Sequence, residues 1–251
     1  MRRTIFLLVS LSLFIATVAA AHERKETIHY LSLGGEASGY LSLPASHGNH
    51  PAIIVIQEWW GLNDWVKEQA DRFAAKGYVA LAPDLYRGKV AKEMGEAHEL
   101  SRGLPHDRAM ADLTNAFKYL ATRKDVDASR IGVIGWCMGG GFALDLALAE
   151  PRLAATVINY GHLVADPAGV KPLTSPILGN FGEKDQGIPP KDVEAFEKAL
   201  KAAGKSSDIK IYPGCGHAFM NPNNTTGYVK AAAEDAWKRI DAFLAKALKL
   251  S

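Results

Sequence analysis

Cysteine is scarce, with only Cys137 and Cys215 in 251 residues, which excludes a small disulfide-stapled scaffold. Charge of one sign is also missing. The chain carries 29 Lys+Arg against 27 Asp+Glu, and without Arg2 and Arg3 the balance is 27 against 27. A near-neutral chain offers no electrostatic footprint for nucleic acid or an anionic membrane, so neither is expected as a partner. After residue 22 there is no Ser/Gly/Pro-rich linker, no repeat and no charge block. What remains is 48% hydrophobic and 22% charged, the composition of an ordered domain rather than a disordered chain. The length suits a single large α/β domain over residues 22–251.

One long apolar run does occur, at the start. Residues 1–21, MRRTIFLLVSLSLFIATVAAA, join a basic start, an uncharged stretch from Thr4 to Val18 and an Ala19-Ala20-Ala21 site. That three-part order is expected of a secretory signal peptide, with His22 as the new terminus. The apolar run is short for a spanning helix, which needs about 20 residues. The expectation is therefore an exported, periplasmic or secreted protein with no membrane anchor after cleavage.

Downstream, strand-like and helix-like segments alternate. Residues 26–33 and 39–45 alternate apolar with polar and are split by GGEAS, as in an antiparallel hairpin. Short apolar runs at 51–58, 78–85, 130–136, 154–161, 175–182 and 207–214 read as buried parallel strands. Helical spacing links Trp65, Gln69, Phe73 and Lys76 before Gly77, then Met110, Leu113, Phe117 and Leu120. Residues 191–203 stop at Gly204, and 228–248 form a closing helix with Trp237, Ile240, Phe243 and Leu244 inward. This order predicts a mostly parallel sheet of about eight strands, covered by helices on both faces.

The chemistry concentrates at GWCMGG (135–140), between the apolar strand RIGVI and the helical run FALDLALAE. It has the G-x-nucleophile-x-G form of a strand-to-helix elbow, with Cys137 where Ser is commoner. The Met138 N–H at the helix start can donate to an oxyanion. A tight turn around a buried structural cysteine would show the same pattern. Two later residues favour the catalytic reading. Asp185 follows a strand in GEKDQG, and His217 follows the last strand in GCGHAF, giving the order nucleophile, acid, base. Asp185 can orient the imidazole while its other nitrogen takes the thiol proton. Tyr160, Gly161 and His162 end another strand near the same mouth, His162 reading more simply as a surface residue. Cys215 stands two residues before His217, and a free Cys137 beside a buried, inert Cys215 is the expected state.

Together QEWWG (57–61), PDLYRG (83–88), GWCMGG, the GEKD loop, GHAF (216–219) and TGYV (226–229) resemble the dienelactone hydrolase family over essentially the whole chain after residue 22. The resemblance implies an α/β-hydrolase fold and a monomer that hydrolyses a small-molecule carboxylic ester or lactone through a cysteine thioester. It implies no metal or organic cofactor. It also implies that Glu58 helps to generate the thiolate, and that the Trp59 N–H joins that of Met138 in an oxyanion hole. For substrate, the archetype holds a free carboxylate with two arginines. Here Arg87 follows Tyr86 directly, one residue early, and His217 is followed by Ala218, Phe219, Met220 and Asn221 with no arginine. Tyr86, Arg87, Trp60 and Phe219 are the substrate-binding candidates, and Trp59, Trp60, Tyr86, Phe219 and Met220 predict an aromatic rim. The alternatives are a broad exported esterase or thioesterase that does not act on dienelactone, and a non-catalytic binding member.

Overall fold

The computed structural model describes residues 24–250, so the expected signal peptide at 1–21 lies outside the described residues. Eight strands form one sheet: β1 (Arg24–Ser32), β2 (Gly35–Leu43), β3 (His50–Ile56), β4 (Val79–Pro83), β5 (Val126–Trp136), β6 (Ala155–Asn159), β7 (Ile177–Gly182) and β8 (Ser207–Tyr212). Their spatial order is β1-β2-β4-β3-β5-β6-β7-β8. β2 pairs antiparallel with β1 and β4, and every pairing from β4 to β8 is parallel. The mixed sheet with an antiparallel first hairpin is the expected architecture.

Alternation along the central strands divides the core. Ala52, Ile54 and Ile56 of β3 join one cluster, while Ile53 and Val55 join the other. The first is covered by α3 (His106–Thr122), α4 (Met138–Ala149) and α5 (Pro190–Ala202). The second is covered by α1 (Asp64–Ala75) and α6 (Lys230–Ala247). Because both faces are covered, the central parallel strands β3 and β4 are buried nearly throughout rather than alternating, whereas β8 at the sheet edge exposes Ser207 and Asp208. Within α6, Ile240 and Leu244 are buried as expected, with Trp237 and Phe243 partly buried against the same cluster. α1 ends as its sequence suggests, at Lys76 followed by Gly77 with φ +98°.

Two details differ from expectation. The hairpin turns at Leu33–Gly34, not across GGEAS, because Ser32 pairs with Gly35 and residues 35–38 already belong to β2. A helix not expected from the sequence, α2 (Met94–Arg102), lies between β4 and α3, with Ala97 its one buried residue. Its apolar positions, Met94, Ala97 and Leu100, are too few over nine residues for periodicity to mark a helix.

Candidate active site

The carboxyl ends of the parallel strands meet at a turn held by steric necessity. β5 runs into Cys137, which adopts φ 54° and ψ −120° before α4 begins. A non-glycine residue there stores roughly 1–3 kcal/mol of backbone strain, and such strain gathers at functional turns. Both flanking glycines are obligatory. A Cβ on Gly135 would sit 1.9 Å from the Gly139 carbonyl oxygen, and one on Gly139 would sit 2.4 Å from that of Gln57. A buried amide chain supports the turn from below. The Cys137 N–H donates to the Asn159 carbonyl at 3.0 Å, and the Asn159 side chain donates to the Gly135 carbonyl at 3.1 Å. Asn180 in turn donates to Asn159 at 2.8 Å.

Asp185 and His217 come together across the loops after β7 and β8. The carboxylate Oδ2 lies 2.6 Å from the imidazole Nδ1, while Oδ1 accepts the Gly187 and Ile188 N–H groups at 2.9 and 3.1 Å. The Asp185 side chain is only 1% exposed, whereas His217 is 40% exposed, so the acid is fixed and the base faces the cavity. Burial pulls the His217 pKa down, but its bonds to Asp185 and Cys137 outweigh that and raise it above its ordinary value. Burial pushes Asp185 upward, yet the His217 bond and charge leave it lower than usual.

Glu58, just past β3, is 2% exposed. Its Oε2 accepts from Asn221 Nδ2 at 2.6 Å and its Oε1 from the Tyr160 hydroxyl at 3.5 Å. Burial pushes its pKa up to about 7, against the opposing pull of Asn221, His217 and Tyr160. Among the described residues Glu58 makes no hydrogen bond to Cys137; its carboxyl is held by Asn221 and Tyr160, and both Glu58 and Cys137 line the same cavity. Asn221 carries no motif signal beyond its place after GHAF, and the sequence did not single it out for this role.

A cavity of about 620 Å³ opens above these groups, bordered by Glu58, Trp59, Trp60, Cys137, His217 and Asn221. Ala91 and Met94 extend its apolar side; Asn63, Asn223, Asn224 and Thr225 extend its polar side. Among the described residues, the lining includes no Lys or Arg. Trp60, one of the substrate-binding candidates, is therefore at the cavity.

Three substrate-binding candidates are placed elsewhere. Arg87 forms a bidentate pair with Asp112 at 3.2 and 2.7 Å and donates to the Glu36 and Leu33 carbonyls. The cause is local. Asp84 accepts from the Tyr86 and Gly88 N–H groups at 3.1 and 2.6 Å, and Arg87 at φ 52° is turned back towards α3 and the β1–β2 hairpin. Asp112 is 1% exposed, so removing the guanidinium would strand a buried carboxylate at a cost of about 3 kcal/mol or more. Tyr86 is 5% exposed and acts as a brace, its hydroxyl donating to the Trp59 carbonyl at 3.0 Å and lying 3.4 Å from Met138 Sδ. It thus links the two segments expected to supply oxyanion donors. Phe219 is fully buried between Tyr160 and Tyr212, and Met220 is 2% exposed in the same cluster, so neither forms a rim. Tyr160 also lies beneath the site, while His162 is exposed and outside the cavity lining.

Cys137 and Cys215 are both free, and Cys215 is 1% exposed. Among the described residues, no cluster of three or more His, Cys, Asp or Glu side chains is placed to hold a metal ion, and no helix is long and apolar enough to cross a membrane.

The family model for the dienelactone hydrolase family matches residues 37–248. A Salmonella typhimurium protein named "Putative carboxymethylenebutenolidase" is 35% identical over 224 residues, covering 83% of this chain and 82% of that protein. One of the same name from Methylorubrum extorquens is 34% identical over 220 residues, covering 82% and 75%. Among solved structures, a "Putative Dienelactone Hydrolase" from Klebsiella pneumoniae superposes with a TM-score of 0.79 at 30% identity, covering 89% of this chain and 99% of that one. With that match spanning the elbow, the Asp185 loop and the His217 loop, the chain is a hydrolase of the α/β-hydrolase fold and belongs to the dienelactone hydrolase family.

Proposed function

We propose that the protein hydrolyses uncharged carboxylic esters or lactones through a Cys137–His217–Asp185 triad and a thioester intermediate. The observation that carries this reading is the conjunction at one cavity of a strained cysteine elbow and an imidazole held 2.6 Å from a buried carboxylate. His217, oriented by Asp185, takes the Cys137 proton, and the thiolate attacks the acyl carbon. Negative charge then develops on the carbonyl oxygen. In this reading the Met138 and Trp59 N–H groups are the oxyanion donors, and the Tyr86 hydroxyl ties their two segments together. Collapse expels the alcohol, protonated by His217, and leaves an acyl group on Sγ. Water, deprotonated by the same imidazole, releases the acid.

The preference for uncharged substrates rests on the cavity wall. A carboxylate-bearing substrate would meet Glu58 and no lining Lys or Arg, because Arg87 is committed to Asp112. An ion without a partner in a confined site loses hydration that nothing replaces. An aryl acetate, a neutral lactone and a carboxylate-bearing dienelactone compared by kcat/KM under reducing conditions test this directly. The neutral substrates should exceed the dienelactone by at least about tenfold, the scale of one lost charge-assisted contact. A dienelactone preferred by that margin contradicts the charge argument, and failure to hydrolyse any of the three contradicts the hydrolytic reading.

The leader-like residues 1–21 support export of the protein, which is expected to act as a monomer. The balanced charge supports neither a nucleic-acid partner nor an anionic surface.

A further inference from the structure

Glu58 is an anomaly at this site. It is a carboxyl group 2% exposed, yet its hydrogen-bond partners are neutral: an amide and a phenol. Buried carboxylates are ordinarily matched by a cation. The groups facing it are few. Tyr160 approaches from the end of β6 and His217 and Asn221 from the loop after β8, while Cys137 at the elbow lines the same cavity. Of these, only His217 can be cationic, and its Nδ1 is bound to Asp185.

The Asn221 amide is oriented rather than free to flip. Its Oδ1 accepts the Asn223 N–H at 2.9 Å, which turns Nδ2 towards Glu58. The residue is 3% exposed, and its own N–H donates to the Ala218 carbonyl at 3.2 Å, next to the proposed base. One side chain therefore ties the loop bearing His217 to the segment bearing Glu58 and the Trp59 N–H.

We propose that Asn221 is a positioning residue for Glu58, holding its carboxylate at the shared cavity in the ionised form, as a second acceptor for the Cys137 thiol proton beside His217. The step conserves charge: the S–H bond breaks, an O–H bond forms on Glu58, and the negative charge passes from oxygen to sulfur. The inference rests on Cys137 as nucleophile but does not require the substrate to be known. A hydrogen bond donated to the carboxylate favours ionisation, so removing the donor must make Glu58 harder to ionise.

The test follows Cys137 alkylation by iodoacetamide against pH, with the labelled peptide identified by mass so that Cys215 does not contribute. The parent protein should show a step near pH 7 that is absent from Glu58→Gln, matching the elevated pKa of about 7. In Asn221→Ala that step should move upward by about one pH unit, and in the near-isosteric Asn221→Asp by at least as much. Neither change should move the profile when added to Glu58→Gln. A purely structural Asn221 would lower Tm without displacing the step. A step that stays in place in the folded Asn221 variants overturns the proposal, as does a step that survives Glu58→Gln. Because alkylation needs no ester, these outcomes are separate from failure of the hydrolytic reading, which only the substrate comparison addresses.

Discussion

Cys137→Ala is expected to lower kcat/KM for the best neutral ester by at least about 10⁴-fold, the scale seen when a nucleophile is removed from a triad. The reasoning is covalent. Without Sγ there is no acyl acceptor, and what remains is a cavity with two N–H donors and an imidazole that can only activate water. The fold should be little affected. Cys137 is half-buried, its sulfur makes no disulfide, and Ala keeps the Cβ that the elbow already accommodates at φ 54°. Tm should therefore change little while turnover collapses, a separation that general destabilisation cannot imitate. Ester hydrolysis within about tenfold of the parent would exclude Cys137 as nucleophile.

The second large effect belongs to Asp185. Asp185→Asn keeps the size of the side chain, and its Oδ1 can still accept the Gly187 and Ile188 N–H groups that hold the loop at 2.9 and 3.1 Å. What changes is the partner of His217 Nδ1. An amide nitrogen presented there donates, which places the imidazole proton on the wrong nitrogen and blocks acceptance of the thiol proton by His217, which must also protonate the leaving alcohol. The loss of charge also removes one of the influences that raise the His217 pKa, so the imidazolium is less stable. The expected fall in kcat/KM near neutrality is about 10³–10⁴-fold. The sign of its pH dependence is fixed as well. As pH rises, hydroxide can replace the imidazole as proton acceptor, so the deficit should shrink towards alkaline pH. A loss under tenfold across the whole profile would show that the 2.6 Å contact does not serve the reaction.

The parts legible in the sequence were those under steric or topological compulsion. Gly135 and Gly139 had to be glycine because backbone atoms fill the places of their side chains, and that demand marks the elbow in the text. Asp185 and His217 stood out because active groups of a parallel sheet sit just past strand ends, where each apolar run stops. Arg87 was misleading for a reason invisible in one dimension. Its direction depends on the Asp84 turn, and its partner Asp112 lies on a helix 25 residues later. Phe219 and Tyr86 could not be assigned either, since aromatic character suits a rim and a core equally well. Asn221 was hidden most completely. Its importance comes from a contact spanning 163 residues to Glu58, and an asparagine in a polar loop carries no periodicity to betray it.

The central claim is a thioester on Cys137, and trapping it is the most direct test. The parent protein would be mixed with a slowly deacylated aryl ester, quenched in acid during the first turnover, digested and weighed by mass spectrometry. One acyl mass should appear on the peptide containing Cys137, be removed by neutral hydroxylamine, and form with a burst of aryl alcohol equal to the enzyme present. A stoichiometric burst with the acyl group on another residue, or with no acyl group on the protein, would contradict the account.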